Sequence, residues 1–451
     1  MAVQTSQVEI PYLIDKAIHK TYENGFQFIY VPKKGDVFNV STWVKTGSIH
    51  ENDANNGVSH FLEHLMFKGT ERFKPGEFDK AMESMGAVIN AATWKDFTFY
   101  YITGPKGEGG KNFEKALDMH ADMVLLSTLP EGEIGETHDP EDANSKANKR
   151  ERGVVIEEIG MRLDQPWTKI YNALNHMMYP VGHPYQRDVI GTPQIIGHIP
   201  RQEIVDYYQT WYGAENLTTI VVGDFDVTVL EEQVLKYFDF KKQSRKPSAN
   251  GTSFPKIENG HKREETLTGD YQTSFFIMGY HGPDSADLKE TIALDVASKV
   301  LGEGRSSRLY QALIERPKAP VFNAISSGQS TFKLGNVIFI QGNFNGSDAS
   351  DCLKRVNDEV SDYLFKNPIT PDEFGRAVKK MKVDFAETSE TASGIADTIG
   401  EAVTITGTLD SYTRYLEVLG SLTLEDVRKA AVTWLDPRRV YTASLLPKGD
   451  A

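Results

Sequence analysis

GVSHFLEHLMFKGTERFKPGEF, residues 57–78, is the stretch from which the organisation of the chain can be worked out. Residues 58–67 have the apolar spacing of a helix, and the KGT sequence at 68–70 marks its end. Residues four apart lie about 40° apart around a helix, so His60 and His64 project from the same face. Two histidines at this spacing can bind one zinc ion.

Glu63 lies between the two histidines in this predicted helix. It is three residues from His60, so its carboxylate reaches the same site. A carboxylate in that position can take a proton from water and pass it to a leaving amine. The H-x-x-E-H pattern is expected well under once by chance in this chain. The alternative is a helix whose histidines are merely polar.

A catalytic zinc site needs a third protein ligand and an open position. The sequence ERGVVIEE at 151–158 supplies a candidate. Seven residues make nearly two helical turns, so Glu151 and Glu158 share a face, whereas Glu157 points about 100° away from Glu158. We predict that Glu158 is the third ligand and that Glu151 orients a histidine ligand or the water. The alternative for Glu158 is an exposed helix acid.

The segments that follow the first helix predict a second helix and a β-hairpin. The helix is expected at 76–86, and the hairpin at 87–102, where β-branched and aromatic residues flank a polar turn at Lys95 and Asp96. Small side chains in the first strand would let a peptide pair with it as an added strand. These candidate substrate-binding residues are Asn90, Ala91, Ala92 and Thr93. The alternative is an ordinary core hairpin.

The length of 451 residues indicates more than one domain, because single cores stop growing at roughly 250–300 residues. Residues 241–264 are rich in Lys, Ser, Asn, Gly and Pro, which is typical of a linker. On both sides of it the pattern predicts strand, paired helices, hairpin, helices and closing strand. We predict an α+β fold of two related α/β domains: a zinc-binding domain at 1–240 and a second domain without a metal motif at 265–451.

The composition narrows the class of partner. A formal net charge of −14 argues against nucleic-acid binding, for which a basic face is expected. The charge either serves solubility alone or gives an acidic interior that attracts basic peptides. No apolar run approaches the roughly 18–20 residues needed to cross a bilayer, so no membrane span is expected.

The N-terminal residues and the cysteine count bear on location and on the type of metal site. Residues 1–20 show no basic segment followed by an apolar one, so a cytoplasmic location is expected, or a periplasmic or organellar one if a leader was removed. Cys352 is the only cysteine, which excludes intrachain disulfides and a Cys-rich zinc site. Its apolar surroundings favour a core residue.

The motif residues resemble those of the inverted-zincin metallopeptidases of the pitrilysin and insulinase type. The resemblance covers essentially the whole chain and is closest to half-length members, such as mitochondrial processing peptidase and bacterial heterodimeric relatives. It is clearest in residues 57–78, ERGVVIEEIGM (151–161), HPYQRDVIG (183–191) and GEGRSSRLYQAL (302–313). It implies that each domain is a mainly antiparallel sheet packed with helices on one side, and that the chain forms half of a clamshell around a chamber.

The resemblance also implies roles for the motif residues. The family's zinc ligands correspond to His60, His64 and Glu158, with one Zn²⁺ per chain; its base corresponds to Glu63, and its supporting acid to Glu151. The implied function is that of a zinc-dependent endopeptidase, the catalytic subunit, which hydrolyses unfolded or short peptides in a closed chamber. The alternative is a non-catalytic assembly or scaffold subunit of the same family, although such subunits usually lack an intact zinc motif.

The chain departs from the family's pattern in the spacing of its ligands. The interval between His64 and Glu158 is longer than expected for the family. The excess falls in the polar stretch GETHDPEDANSKANK at 135–149. We expect a surface loop or a helix extension there, which leaves the ligand assignment unchanged.

A second departure concerns hydrogen-bond donors for the substrate. Active members have an Arg and, seven residues later, a Tyr just after the helix of the SRL sequence. Here these positions are Ile314 and Val321, which cannot donate; Arg316 and Phe322 are near but fit neither the spacing nor the chemistry. We therefore expect a related subunit without zinc to supply the Arg and the Tyr in a heterodimer. A homodimer that uses other donors is the alternative.

Overall fold

The computed structural model divides into two compact units. It describes residues 3–142, 150–243, 255, 263–346 and 349–448. The first unit comprises 1–160, 187–254 and 386–413, and the second comprises 161–186, 255–385 and 414–451. Most of the predicted linker at 241–264, and residues 143–149 of the predicted insertion, lie outside the described residues.

The strands in the described residues form two sheets. They are β1 (Val3–Val8), β2 (Ala17–Tyr22), β3 (Gln27–Pro32), β4 (Val37–Val44), β5 (Val88–Thr93), β6 (Thr98–Pro105), β7 (Leu217–Gly223), β8 (Glu264–Gly269), β9 (Ser274–His281), β10 (Phe322–Ser330), β11 (Val337–Phe344) and β12 (Tyr441–Pro447). The hairpin predicted at 87–102 is confirmed as β5 and β6. No strand was predicted where β1 and β2 lie.

The helices pack against these sheets. They are α1 (Val58–Met66), α2 (Glu77–Ser84), α3 (Lys111–Leu126), α4 (Glu131–Ile134), α5 (Glu151–Leu163), α6 (Pro166–Met178), α7 (Pro193–His198), α8 (Arg201–Trp211), α9 (Val227–Tyr237), α10 (Leu288–Gly302), α11 (Arg308–Tyr310), α12 (Ala349–Ser361), α13 (Pro371–Thr388), α14 (Ala392–Thr406), α15 (Asp410–Thr413), α16 (Tyr415–Ser421) and α17 (Leu424–Trp434). The predicted helices at 58–67 and 76–86 are confirmed as α1 and α2. In the part of the chain that the structure describes, no helix has the length and apolar character of a membrane span.

The two sheets are mainly antiparallel, which confirms the predicted fold class. The first unit has seven strands in the order β1-β2-β3-β7-β4-β6-β5. Its only parallel pair among the described strands is β3 with β7. The second unit has five strands in the order β10-β11-β9-β12-β8, of which β12 and β8 run parallel. Strand β5 is therefore an edge strand of its sheet.

The central strands of the first unit are covered on both faces. Phe38 and Val40 of β4 belong to the core that α1 and α3 share with the sheet. Because side chains alternate along a strand, Trp43 points to the opposite face. There it meets Gly400 of α14, where an added Cβ would lie 1.9 Å from the indole. Helix α14 thus covers the second face of the sheet.

The second unit is built in the same way. Phe276 and Met278 of β9 pack into a core with α10 and α17. Gly279 faces the other side, where an added Cβ would lie 2.7 Å from the Sδ of Met178 and 2.9 Å from Leu174, both on α6. Helix α6 thus covers the second face of this sheet, so the central strands of both sheets have helices on two sides and not on the one side that the resemblance implied.

The units differ from the continuous domains at 1–240 and 265–451 that the sequence predicted. Helix α6 lies within the first stretch but belongs to the second unit, and α14 lies within the second stretch but belongs to the first unit. The physical reason is that each sheet has a second apolar face to bury, and the covering helix comes from the other half of the sequence. Local pattern carries no information about such an exchange.

Candidate metal centre

Helix α1 carries the H-x-x-E-H motif at a buried position in the first unit. Its N-cap is Gly57, whose φ of 95° is one that residues with side chains rarely adopt. The side of the helix that packs in the core has no exposed surface and consists of Phe61, Leu62, Leu65 and Met66. His60 and Glu63 are also buried, and His64 is partly exposed. The apolar side therefore sets the rotation of α1, which brings the motif side chains to one place.

Helix α5 is anchored beside α1 by a buried arginine. The guanidinium of Arg152 lies 5.4 Å from the ring centroid of Phe61 on α1. It donates hydrogen bonds to the carbonyl oxygens of Gly135, Ile196 and Ile199. Burial lowers the pKa of Arg152 to about 10, so the guanidinium stays charged at neutral pH. This anchor holds the first turns of α5 next to the motif helix.

The anchored α5 brings Glu158 to the two histidines. The Oε2 atom of Glu158 lies 3.8 Å from the Nε2 of His60 and 3.4 Å from the Nε2 of His64. One potential ligand atom from each of these three residues lies within 4.8 Å of the other two. Among the described residues, no other group of three His, Cys, Asp or Glu side chains comes together in this way. Glu157 points away and is exposed, as the helical geometry predicts. Two imidazole nitrogens and one carboxylate oxygen are a donor set that suits zinc.

The second nitrogen of His64 is held by a carboxylate. Its Nδ1 lies 3.2 Å from the Oε2 of Glu151, and the Nζ of Lys68 lies 2.7 Å from the Oε1 of the same carboxylate. Burial opposes the charged form of His64, but the bonds to Glu151 and Glu158 and the charge of Glu63 outweigh it and raise its pKa to about 9. The site therefore has a negative potential that favours a bound cation.

Glu63 is linked to the edge strand β5. The hydroxyl of Thr93 donates a hydrogen bond to the Oε2 of Glu63. Residues 91–93 are half-buried and Asn90 is exposed. Strand β5 pairs with β6 through Thr93 and Thr98 at the turn, and no other described strand pairs with it. The structure thus brings the predicted substrate-binding strand to the predicted base.

The positions of the missing donors lie in the second unit. Ile314 lies in a π-helical turn, Gln311–Glu315, and is half-buried against the core of the unit. Val321, just before β10, packs on the same core. Phe322 is buried, and Arg316 is exposed. The side chains of Ile314 and Val321 both contribute to packing, and neither has an N–H or O–H group that could donate a hydrogen bond.

Two models of one family match the chain in succession. Residues 29–176 match the model described as insulinase, peptidase family M16, and residues 198–381 match the model described as peptidase M16 inactive domain. The chain belongs to peptidase family M16. The first match contains the H-x-x-E-H motif and Glu158, and the second contains Ile314 and Val321.

This M16 protein is similar in sequence to bacterial proteins named as zinc proteases. It is 27% identical to the zinc protease PqqE of Helicobacter pylori over 431 residues, which cover 95% of this chain and 92% of that protein. It is 25% identical to the uncharacterized zinc protease YmxG of Bacillus subtilis, with 87% and 89% covered. These names associate the family with zinc and with proteolysis.

Solved structures agree with the fold. The crystal structure of a protease from Helicobacter pylori superposes with a TM-score of 0.81 at 26% identity and covers 99% of this chain and 100% of that one. A peptidase M16 inactive domain from Pseudomonas fluorescens superposes with a TM-score of 0.82 at 18% identity, with 99% and 98% covered, and at that identity it supports the fold alone.

Two site residues of this M16 protein, Lys68 and Arg152, and one contact of Thr93 lie outside the predictions made from the sequence. Lys68 follows His64 by four residues, so helical spacing alone could have placed its ammonium near the motif. Thr93 was singled out for its small size, and its hydrogen bond to Glu63 was not foreseen. Arg152 follows Glu151 and gave no signal, because its carbonyl partners come from segments distant in the chain. Cys352 is buried, as predicted.

Proposed function

We propose that this chain is the catalytic subunit of a zinc-dependent endopeptidase. The observation that carries the proposal is the convergence of His60, His64 and Glu158 on one point, with the carboxylate of Glu63 on the same helix. The family relationship supports it, since relatives along the whole chain are named zinc proteases.

The donor set fits one Zn²⁺ per chain, held by the Nε2 atoms of His60 and His64 and by Glu158. When bound, zinc supplies a Lewis acid that polarises a peptide carbonyl and acidifies the attacking water. Glu151 accepts from the Nδ1 of His64, which keeps Nε2 available as the ligand atom. Lys68 neutralises part of the charge on Glu151 and holds it in place.

Glu63 acts as the general base in this proposal. Its carboxylate takes a proton from the attacking water and passes it to the nitrogen of the leaving amine. The hydrogen bond from Thr93 to one oxygen of the carboxylate orients the base. A peptide that pairs with β5 would therefore have its scissile region close to the base, because Thr93 lies on that strand.

The substrate binds as a strand added to β5 at Asn90, Ala91, Ala92 and Thr93. An edge strand with small side chains lets a second backbone approach to hydrogen-bonding distance. This mode recognises extended conformation more than sequence, so unfolded or flexible peptides are the preferred substrates. A structure with a bound peptide that makes no main-chain bonds to this segment would overturn the assignment.

A second subunit completes the active site. Ile314 and Val321 leave this chain without donors at those positions, and one missing donor to a developing oxyanion typically costs about 10²–10³ in rate. A related chain that keeps Arg and Tyr would supply them in a heterodimer; a homodimer with other donors is the competing arrangement. The test is to assay the zinc-loaded chain before and after adding candidate partners. Full activity of the isolated chain, unchanged by any partner, contradicts the heterodimer.

The second candidate function is a non-catalytic scaffold subunit. The match of residues 198–381 to the inactive domain and the apolar character of Ile314 and Val321 favour it. Metal analysis together with cleavage of a quenched peptide, with and without a chelator, separates the two. Bound zinc and cleavage that the chelator abolishes support the endopeptidase, whereas a chain that binds no zinc in any complex is a scaffold.

A further inference from the structure

The start of α1 is held by a buried carboxylate that lies outside the metal group. The Oε2 of Glu51 accepts hydrogen bonds from the backbone N–H of Gly57 and from the Nδ2 of Asn56, each at 2.8 Å. Its Oε1 accepts from the backbone N–H of Ser59 at 2.9 Å and from the Ser59 hydroxyl. A carboxylate at the N-terminal end of a helix accepts hydrogen bonds from the free backbone N–H groups, and its negative charge interacts favourably with the helix dipole. Glu51 therefore fixes the first turn of the helix that carries His60.

Hydrogen bonds join the segment 187–191, part of the HPYQRDVIG sequence, to the loop that contains Glu51 and Asn56. The Nη2 of Arg187 donates to the backbone carbonyl of Glu51 at 2.6 Å, and the Nδ2 of Asn56 donates to the carbonyl of Asp188 at 2.8 Å. An added Cβ on Gly57 would lie 2.6 Å from the carbonyl of Ile190. The segment thus lies directly against the beginning of α1.

The turn that ends β5 joins this network through a lysine. The Nζ of Lys95 donates to the carbonyl of Arg187 at 2.9 Å, and only 5% of Lys95 is exposed. Burial, the main cause, lowers the pKa of Lys95 to about 8, although the negative charge of Asp188 acts to raise it. The backbone N–H of Ile49 donates to the carbonyl of Lys95 at 2.8 Å. The end of β5 is therefore bonded both to the segment 187–191 and to the loop that leads to Glu51.

We propose that Glu51, Asn56, Lys95 and Arg187 form a clamp that positions β5 against α1. One network holds the first turn of the metal helix, and it also holds the turn two residues beyond Thr93, which in turn bonds Glu63. The proposal rests on the proposed function, because it assigns these four as positioning residues for zinc binding and for peptide binding. None of them belongs to the metal group.

The clamp divides into a part that acts on the metal and a part that acts on the peptide. Glu51 bonds the helix that carries two zinc ligands, so its loss should disturb the metal most. Lys95 joins the turn after β5 to the carbonyl of Arg187, so removing its ammonium should affect peptide binding most. Small displacements matter at both places, because a shift of about 1 Å at a catalytic site can cost about 10² in rate.

The Glu51→Gln variant tests the first part. Its size is unchanged, but its NH₂ group would face the N–H donors of Asn56, Gly57 or Ser59. We expect the zinc dissociation constant, measured by competition with a chromophoric chelator, to rise by about 10–100-fold, the range for supporting contacts of metal ligands. This readout does not depend on turnover.

The Lys95→Met variant tests the second part, since it keeps most of the stem and removes the ammonium. We expect faster amide hydrogen exchange in residues 88–93 and a KM for peptide about tenfold higher, equivalent to one lost charge-assisted hydrogen bond. Zinc affinity should stay within about threefold of wild type, in contrast to Glu51→Gln.

The matched control is Val234→Ala, which removes buried methyl groups on α9, a helix that packs on α3 in the same unit. Val234→Ala shows the effect of general destabilisation alone. All variants are compared at temperatures that lie the same number of degrees below their own melting temperatures. The clamp is overturned if both clamp variants match Val234→Ala in zinc affinity and in exchange of β5. Absence of chelator-sensitive cleavage by the wild type in any complex would sink the proposed function alone, because the zinc and exchange measurements still decide on the clamp.

Discussion

The sheets of the two units share one strand order and differ in what their helices carry. From the parallel pair outward, the first unit runs β3-β7-β4-β6-β5 and the second runs β8-β12-β9-β11-β10, so each of these five strands has a counterpart, whereas β1 and β2 have none among the described strands. The first helix after β4 is α1, with the metal donors, and the first helix after β9 is α10, which contains no histidine. The same architecture therefore serves both units, and side chains alone decide which one has a metal group.

The edge strands show the same contrast. Strand β5 carries Thr93, which bonds the carboxylate of Glu63 on α1, whereas its counterpart β10 carries Ser327, whose hydroxyl donates to the backbone carbonyl of Ser298 on α10. In the first unit the edge strand thus bonds an ionisable side chain, and in the second unit it bonds a serine of the equivalent helix. The repeated fold therefore supplies similar positions for two different tasks.

The strongest test of the contrast removes one histidine from each unit. His64→Ala should abolish zinc binding and reduce peptide cleavage to background, since two ligands cannot make a catalytic site. His176→Ala, on the exposed side of α6 in the second unit, is the matched control and should retain full zinc. We would measure the zinc content of both variants by inductively coupled plasma spectrometry and assay peptide cleavage in parallel. Equal zinc in both variants would mean that the ligands lie elsewhere.

The next largest effect separates the base from the ligands. Glu63→Gln should retain zinc and lower kcat by about 10³, because an amide cannot accept the proton. Glu157→Gln removes an acid of the same charge from the exposed side of α5 and should leave kcat unchanged. Substantial activity in Glu63→Gln at full zinc occupancy would contradict the mechanism.

A third test compares the helices that cover the second face of each sheet. Gly400→Ala would push a methyl group into Trp43, which stacks on Phe99 at 4.2 Å and cannot move aside. We expect a loss of about 2 kcal/mol in the free energy of unfolding, within the range for overpacked cores. Gly279→Ala meets only the flexible ends of Leu174 and Met178, so its loss should stay below about 1 kcal/mol. Urea unfolding of both variants measures the difference, and equal losses would show that the two covering helices pack alike.

The smallest expected effect concerns pH and the core of the first unit. Burial lowers the pKa of His120 to about 3, whereas the unfolded chain titrates near 6.5. Between these values the unfolded state binds a proton that the folded state does not, so stability falls as the pH falls below about 6.5.

The variant His120→Gln isolates this contribution, because an amide can replace the bond between His120 and Thr42 and does not titrate. From pH 7 to pH 5.5 the wild type should lose about 1.2 kcal/mol more stability than the variant. All other titratable groups are the same in both proteins, so their contributions cancel in the difference. Identical pH slopes in urea unfolding would show that His120 is accessible to protons in the folded state.

The metal group could be predicted from the sequence because its parts follow helical geometry. His60, Glu63 and His64 lie on one helix, and the contrast between Glu157 and Glu158 depends only on the angle per residue. The meeting of α5 with α1 could not be predicted from periodicity, since it depends on Arg152 and on carbonyls from two other segments. The role of Glu51 was equally hidden, because its partners are backbone N–H groups that carry no sequence signal.

The sequence alone was enough to identify which residues can bind a metal, the period of the helices and strands that it predicted, and the absence of a donor at positions 314 and 321. These properties belong to single side chains or to local repeats, so they survive without knowledge of the fold. The three-dimensional fold was needed to show that α6 and α14 belong to the unit formed mainly by the other half of the sequence, that β5 is an edge strand, and that Thr93 bonds Glu63. Those facts depend on which apolar faces and which hydrogen-bonding groups pair across long separations in the chain, and such pairing is settled by packing of the whole sheet.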